Sequence, residues 1–352
     1  MTQSSRVPST PVREAHRFDE SNLHAYIERE LGLKGELSVE RFEGGQSNPT
    51  YRVTMGGERM VLRRKPPGPL LPSAHAVDRE FRVMRALEDS AVPVAKMLAL
   101  CEDDSVIGTM FYLMQYVEGR IWWDPRLQDL GSDQRTAVFD EMNRVIAALH
   151  QVDYEARGLG DYGKTGAYME RQIGRWSKQY LAAETQPIEA MHKLIEWLPK
   201  HRPDDDASSI VHGDFRLDNL MFHPQEPRVL AVLDWELSTL GHPLVDFAYH
   251  LMTWRIPAEL MRGLAGADLK ALGIPGEAEY VARYCARTGR SGGIADLDYY
   301  VAFNMFRLAS ILQGVAKRAE QGNASSAKAV EMGKAARPLA ELAWQQARRV
   351  GG

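Results

Sequence analysis

Apolar residues fall first at helical spacing, then in alternation, then at helical spacing again. Leu23, Tyr26, Ile27 and Leu31 predict a helix over residues 19–31. Residues 37–42 and 50–55 alternate like strands around a glycine-rich stretch, Glu43-Gly-Gly-Gln-Ser-Asn48. Residues 59–64 read as a third strand, ended by the rigid loop Pro-Pro-Gly-Pro-Leu-Leu-Pro at 66–72. A helix over 75–89 and strands over 94–100 and 109–116 complete a mostly antiparallel sheet with one helix inserted. After Gly119 the pattern turns helical. Val138, Met142, Val145, Ile146 and Leu149 share one face of a helix over 133–151. Further helices are predicted over 167–181, 187–198, 243–254, 277–287, 296–320 and 325–348, with short apolar strands at 220–223 and 229–235. Strands first and helices later predict an α+β chain of two unlike lobes joined near residues 114–119, an N-lobe over 17–117 and a C-lobe over 118–352.

Composition narrows the function classes. A length of 352 residues suits about two domains. The net charge of −4 offers no basic field for nucleic acid. No apolar run approaches the roughly 20 residues that cross a bilayer. The first 16 residues, rich in Ser, Pro and Thr and without an apolar core, read as a disordered leader and not a signal peptide. Two cysteines, Cys101 and Cys285, are too few for a disulfide framework and fit a reducing, cytoplasmic setting.

The chemistry concentrates in Ile-Val-His-Gly-Asp-Phe-Arg-Leu-Asp-Asn-Leu-Met-Phe, residues 210–222, and in Val-Leu-Asp-Trp-Glu, residues 232–236. Phosphoryl transfer needs a carboxylate facing the attacking hydroxyl, oxygen ligands for magnesium, and a cation on the phosphates. Asp214 can orient the hydroxyl as base. Asn219 and Asp234 offer the hard oxygen donors that suit Mg2+. Alone, Asp-x4-Asn is ordinary turn chemistry and Leu-Asp-Trp a strand end. Their order, separated by a hairpin-sized segment, is what carries the reading.

His-Gly-Asp-x4-Asn followed by Leu-Asp-Trp-Glu resembles the aminoglycoside phosphotransferase and choline kinase superfamily, over about residues 38–320. Within it, Phe-Glu-Gly-Gly-Gln-Ser-Asn, Val-Leu-Arg-Arg-Lys-Pro-Pro-Gly, Arg-Glu-Phe-Arg-Val and His-Gly-Asp-Phe-Arg-Leu-Asp-Asn look most like the kinase-like domain fused to some acyl-CoA dehydrogenases. No stretch of the 352 residues resembles the dehydrogenase portion. The resemblance implies a bilobal protein-kinase-like fold, ATP and Mg2+ as cofactors, and a small-molecule hydroxyl as acceptor. It implies that Gly44, Gly45, Gln46, Ser47 and Asn48 cover the ATP phosphates, although a plain glycine hairpin explains them equally. Arg63 takes the place of the phosphate-binding Lys of protein kinases, with Lys65 as competitor and Glu80 as its orienting partner. Gln115, Tyr116 and Val117 correspond to the hinge that binds adenine through backbone. Gly241-His-Pro-Leu-Val-Asp246 resembles the family's Gly-Asp-Pro-x-x-Asp, with His242 replacing the first Asp. Asp246 either supports catalysis or complements the helix dipole. Glu236 either assists the metal or is structural.

Two glycine motifs are decoys. Gly158–Thr165 satisfies the Walker A pattern, but the segment before it is helical and then polar, not a buried strand. Gly289-Arg-Ser-Gly-Gly293 matches a hydrolase elbow but follows a helix, so Gly289 reads as a C-cap. His212, His242 and His250 lack zinc-ligand spacing. Only eleven residues separate Asp234 from Asp246, leaving no room for a protein kinase's activation loop. The acceptor is therefore a small hydroxyl compound; the resemblance to the dehydrogenase-fused domain implies a hydroxyacyl-CoA or hydroxy acid, with an aminoglycoside or amino alcohol as the alternative within the kinase class. Tyr249, Tyr300, Arg307 and Gln313 are candidates to face it. Arg307, in Ala-Phe-Asn-Met-Phe-Arg-Leu-Ala-Ser-Ile-Leu, requires an acidic partner or an anionic ligand. A nucleotide-binding module without catalysis is the alternative class. Oligomeric state is not readable.

Overall fold

The computed structural model describes residues 4–5, 9–11, 17–42, 48–66, 75–321 and 327–352. The chain forms two compact units. The first takes in Met1–Trp122, Tyr154–Tyr162 and Leu217–Ser238; the second takes in Trp123–Asp153, Gly163–Arg216 and Thr239–Gly352.

In chain order the elements begin with β1 (Ser4–Ser5), β2 (Ser9–Pro11), α1 (Glu20–Leu31), β3 (Leu37–Phe42), β4 (Thr50–Met55) and β5 (Glu58–Arg64). They continue with α2 (Val77–Leu87), β6 (Met97–Cys101), β7 (Phe111–Gln115), β8 (Ile121–Trp122), α3 (Ser132–His150), α4 (Tyr168–Ala183) and α5 (Glu189–Lys200). Next come β9 (Ser209–Val211), β10 (Leu220–Phe222), β11 (Val229–Val232), β12 (Thr239–Gly241) and α6 (Pro243–Leu251). The chain closes with α7 (Ala258–Met261), α8 (Leu269–Leu272), α9 (Glu277–Thr288), α10 (Leu297–Glu320), α11 (Ala327–Lys334) and α12 (Ala336–Arg348).

The first unit is built on an antiparallel sheet of order β2-β3-β4-β5-β7-β6. Alternation sends Tyr51, Val53 and Met55 of β4, with Met60 and Leu62 of β5, into a core shared with Leu23, Tyr26 and Ile27 of α1. Asp19 caps α1 by accepting the Asn22 amide at 2.9 Å, and Gly32 closes it in the left-handed region. Arg64 faces this core and lies 5.1 Å from the Phe18 ring. Its neighbour Arg63 must therefore face the other side of the sheet. The hairpin β10–β11 also belongs to this unit, and β10 runs close to the chain at Gly119, where an added Cβ would meet the Phe222 carbonyl at 2.4 Å.

The second unit is helical. Its helix α10 packs on α4, α6 and α12, and α3 packs on α9. Its small sheet, β9 with β12, is antiparallel. The expected helix over 325–348 is instead two helices, because Pro338 has no amide for the Lys334 carbonyl and its ring would clash there. The expected strand 229–235 stops at Val232, and residues 235–237 form a single tight turn of helix. Likewise 243–254 ends as helix at Leu251. No helix among the described residues is long and apolar enough to cross a membrane.

Candidate active site

In the sheet unit the site begins at Arg63. Antiparallel register sets Arg63 opposite Tyr112 of β7, and α2 lays Glu80 over both. Arg63 Nε approaches Glu80 Oε2 at 2.9 Å, and Tyr112 donates to the same oxygen at 3.1 Å. Asn48 donates to the other oxygen at 2.7 Å. The Arg63 Nη2 donates to Asp234 Oδ1 at 2.8 Å and lies 3.6 Å from Glu236. Burial works against the Arg63 charge, but Glu80, Asp234 and Glu236 outweigh it and raise the guanidinium's pKa. Burial pushes the Glu80 carboxyl up, to about 7, against the pull of Arg63. Lys65 stands apart, 3.9 Å from Asp78.

The β10–β11 hairpin brings two oxygen donors to one end. Asn219 precedes β10, Asp234 follows β11, and the Leu233 amide donates to the Asn219 carbonyl at 2.8 Å. Asp234 takes φ 62° and ψ 63°, a left-handed conformation. Asp is among the few side chains that tolerate it, and such strain concentrates at functional positions. Asn219 is 9% exposed, and the Asp234 side chain 37%. The donor set fits Mg2+: hard oxygens only, and too few for a closed cage. Among the described residues no group of three His, Cys, Asp or Glu forms such a cage. Magnesium ordinarily takes one or two carboxylates and completes its shell with water and substrate phosphates.

In the helical unit Asp214 follows a tightly held loop. Asp246 of α6 is 3% exposed, and its carboxylate accepts the amides of His212 and Gly213, each at 2.8 Å. His150 of α3 stands 3.2 Å from it. Burial would raise the Asp246 pKa, but His150 and the amides reverse this and hold it below the usual carboxylate range. His212 Nδ1 accepts the Asp214 amide at 3.2 Å, and Gly213 supplies φ 83°. Tyr249 donates to Asp214 Oδ1, and Arg216 lies 3.4 Å from that oxygen. Arg307 donates to the Gly213 carbonyl at 2.9 Å.

The structure thus groups Arg63, Glu80, Asn48, Asn219, Asp234 and Glu236 in one unit, and Asp214, Tyr249 and Arg307 in the other. Gly44, Gly45, Gln46 and Ser47 lie outside the described residues. Gln115 ends β7, and Tyr116 and Val117 follow in irregular backbone. Tyr300 does not face an open surface: it is 1% exposed and packs 5.2 Å from His242. Gln313 is likewise interior, donating to the Ala183 carbonyl. His242 caps α6 through the Leu244 amide, and His250 meets the Tyr280 hydroxyl at 2.7 Å. The Walker-like stretch 158–165 lies in turns, where Gly158 and Asp161 bind Arg82. Gly289 is the left-handed C-cap of α9. Sequence reasoning missed Tyr112, His150 and Trp176, whose ring lies 5.5 Å from the Arg307 guanidinium. Tyr112 alone had a usable signal, its register opposite Arg63.

Comparison with known proteins bears on the family and the fold. A solved structure from Ralstonia eutropha JMP134, named provisionally as an aminoglycoside phosphotransferase, is 56% identical, covers 95% of this chain and 99% of its own, and superposes with TM-score 0.88. A choline kinase from Cryptosporidium parvum Iowa II, 11% identical over 94% of this chain and 96% of its own, shares the fold at TM-score 0.62. The mouse protein "Acyl-CoA dehydrogenase family member 10" is 48% identical over 98% of this chain, but only 33% of its own length is matched. "Probable acyl-CoA dehydrogenase IBR3" of Arabidopsis thaliana is 43% identical over 90% of this chain and 41% of its own. The chain thus spans about a third to two fifths of these two relatives. The phosphotransferase enzyme family model matches residues 38–290. The chain belongs to that family, as a small-molecule kinase with the protein-kinase-like fold.

Proposed function

We propose that the chain transfers the γ-phosphate of ATP to a hydroxyl of a small molecule, with Mg2+ held by Asn219 and Asp234. The observation that carries this reading is the ion pair of Arg63 with Asp234, 171 positions apart in sequence. It brings the Arg63 guanidinium to the hairpin end that carries Asn219 and Asp234, which supports their assignment to phosphates and metal. Arg63 binds the ATP phosphates, and Glu80 orients it. Mg2+, when bound, neutralises charge on the β- and γ-phosphates. Asp214 takes the proton of the acceptor hydroxyl. The acceptor oxygen bonds to the γ-phosphorus as the bond to the β-γ bridging oxygen breaks, and ADP leaves. Asp246 fixes the loop that presents Asp214. The backbone at 115–117 takes the adenine, and 44–48 cover the phosphates, within an N-lobe of residues 17–117.

The acceptor class is a hydroxyacyl-CoA or hydroxy acid. Relatives named as acyl-CoA dehydrogenases, matched over only a third to two fifths of their length, support this choice. Aminoglycosides and amino alcohols are the second class, from the fold relatives. Nucleic acid, membrane and dehydrogenase chemistry have no part in the reading, and the protein works in the cytoplasm. ATP consumption with Mg2+ across hydroxy acids, hydroxyacyl-CoA thioesters and amino alcohols tests it. Asp214→Ala lowers turnover by about 10²–10⁴-fold, the worth of a general base, and spares nucleotide affinity. Equal loss of ATP binding in that variant contradicts the role.

A further inference from the structure

Among the described residues, the helical unit buries a cation with no carboxylate paired to it. Arg307 is 9% exposed, in the middle of α10. Its guanidinium lies 5.5 Å from the Trp176 ring and 5.4 Å from the Tyr249 ring. One nitrogen donates to the Gly213 carbonyl at 2.9 Å, while Nε is buried without a hydrogen-bond partner. Among the described residues no carboxylate pairs with it. The nearby acids are engaged elsewhere: Asp246 with two amides and His150, Asp214 with Tyr249 and Arg216.

Other arginines add to the positive charge. Burial raises the Tyr168 hydroxyl's pKa, and Arg307, Asp246, Arg171 and the exposed Arg175 all act on it, the arginines pulling it down and Asp246 pushing it up. Arg171 donates to the Lys164 and Gly166 carbonyls, and Arg175 lies 5.5 Å from the Trp176 ring. Neither pairs with a carboxylate among the described residues. A buried charge without a counter-charge is costly, and two ring faces with one carbonyl recover only part of that cost. An anion would supply the counter-charge. The planar fork of an arginine suits carboxylate or phosphate oxygens.

We propose that Arg307 holds an anionic oxygen group of the acceptor, carboxylate or phosphate, so that the enzyme takes an anionic hydroxy compound in preference to an amino alcohol. This rests on the kinase reading. Tyr249 spans the two ends of such an acceptor, with its hydroxyl on Asp214 and its ring on Arg307. The reacting hydroxyl and the anion are then separated by the breadth of that ring. Trp176 forms the second wall.

The test uses matched acceptors in an ATP-consumption assay: hydroxycarboxylic acids against their methyl esters, hydroxyalkyl phosphates against neutral diols, and choline. Wild type prefers the charged member by about tenfold or more in kcat/KM, a difference of about 1.4 kcal/mol. The pair that responds identifies the anion. Arg307→Gln abolishes the preference, and Arg307→Lys restores part of it. Should Arg307→Gln fail to fold, Trp176→Leu is read instead, with a reduced preference expected. A purely structural Arg307 lowers acid and ester alike, which overturns the proposal, as does wild-type preference for ester or choline. Calorimetric titration with the same anions reads binding without turnover, and no binding by wild type also overturns it. Failure of the kinase reading shows separately, as absence of a thermal shift with ATP and Mg2+.

Discussion

Replacing Asp246 by Asn removes one charge and almost no volume, so it isolates the anchoring of the loop before Asp214. The wild-type carboxylate accepts two buried amides at 2.8 Å and stands 3.2 Å from His150. Hydrogen bonds to a charged group are worth about 1.5–3 kcal/mol each. An Asn side chain has one acceptor oxygen, so it serves one amide while its NH2 faces the other donor. The orphaned amide costs about 1–3 kcal/mol and the retained bond weakens to about 1 kcal/mol. The sum is a loss of about 1.5–5 kcal/mol, set against a typical domain's 5–15 kcal/mol. Denaturation in urea at pH 7 measures it. ATP turnover falls together with stability because the loop carrying Asp214 loosens, while nucleotide affinity holds. The folded-state pKa of Asp246 is depressed, so the wild-type contribution is present above pH ~4 and fades below it. The difference between variant and wild type therefore shrinks in acid. A loss below 1 kcal/mol with unchanged turnover would refute the anchoring argument.

Three further outcomes are expected. Glu80→Ala leaves Arg63 with Asp234 and Glu236 alone, costs about 3 kcal/mol, and weakens ATP binding; intact ATP affinity shows that Glu80 does not orient Arg63. Asp234→Asn preserves a residue that tolerates the left-handed backbone but removes a charged ligand worth about 1.5–3 kcal/mol. The Mg2+ concentration for half-maximal turnover rises about tenfold or more, and an unchanged requirement assigns the metal elsewhere. Burial drives the His250 pKa down to about 4; between that value and the unfolded ~6.5 the unfolded chain binds the extra proton, so stability falls as pH drops through this window, by up to about 3 kcal/mol. His250→Gln flattens that slope in urea titrations at pH 7.5 and 5, and parallel slopes contradict the assignment.

What the sequence made legible was local. Asp214 to Asn219 is one short loop, while alternation put Arg63 and Lys65 on the same strand face and only the resemblance favoured Arg63. Elements defined by long apolar runs, α3 and α10, are placed within two residues of expectation. Period alone could not separate a core face from a site face, so Tyr300 looked like a substrate residue and is packed interior. Asp246 stayed open between catalytic support and the helix dipole because its partners, the amides at 212 and 213, meet it only through the fold. The break before α12 was present in Pro338, but the helical spacing on either side masked it.

Incubation with Mg2+ and ATP labelled in the γ-phosphate, over the acceptor panel, addresses the central claim most directly. The account predicts label in a phosphate ester of an anionic hydroxy compound, formed about 10²–10⁴-fold more slowly with Asp214→Ala. Label only in free phosphate, at equal rates with and without acceptors, would contradict it.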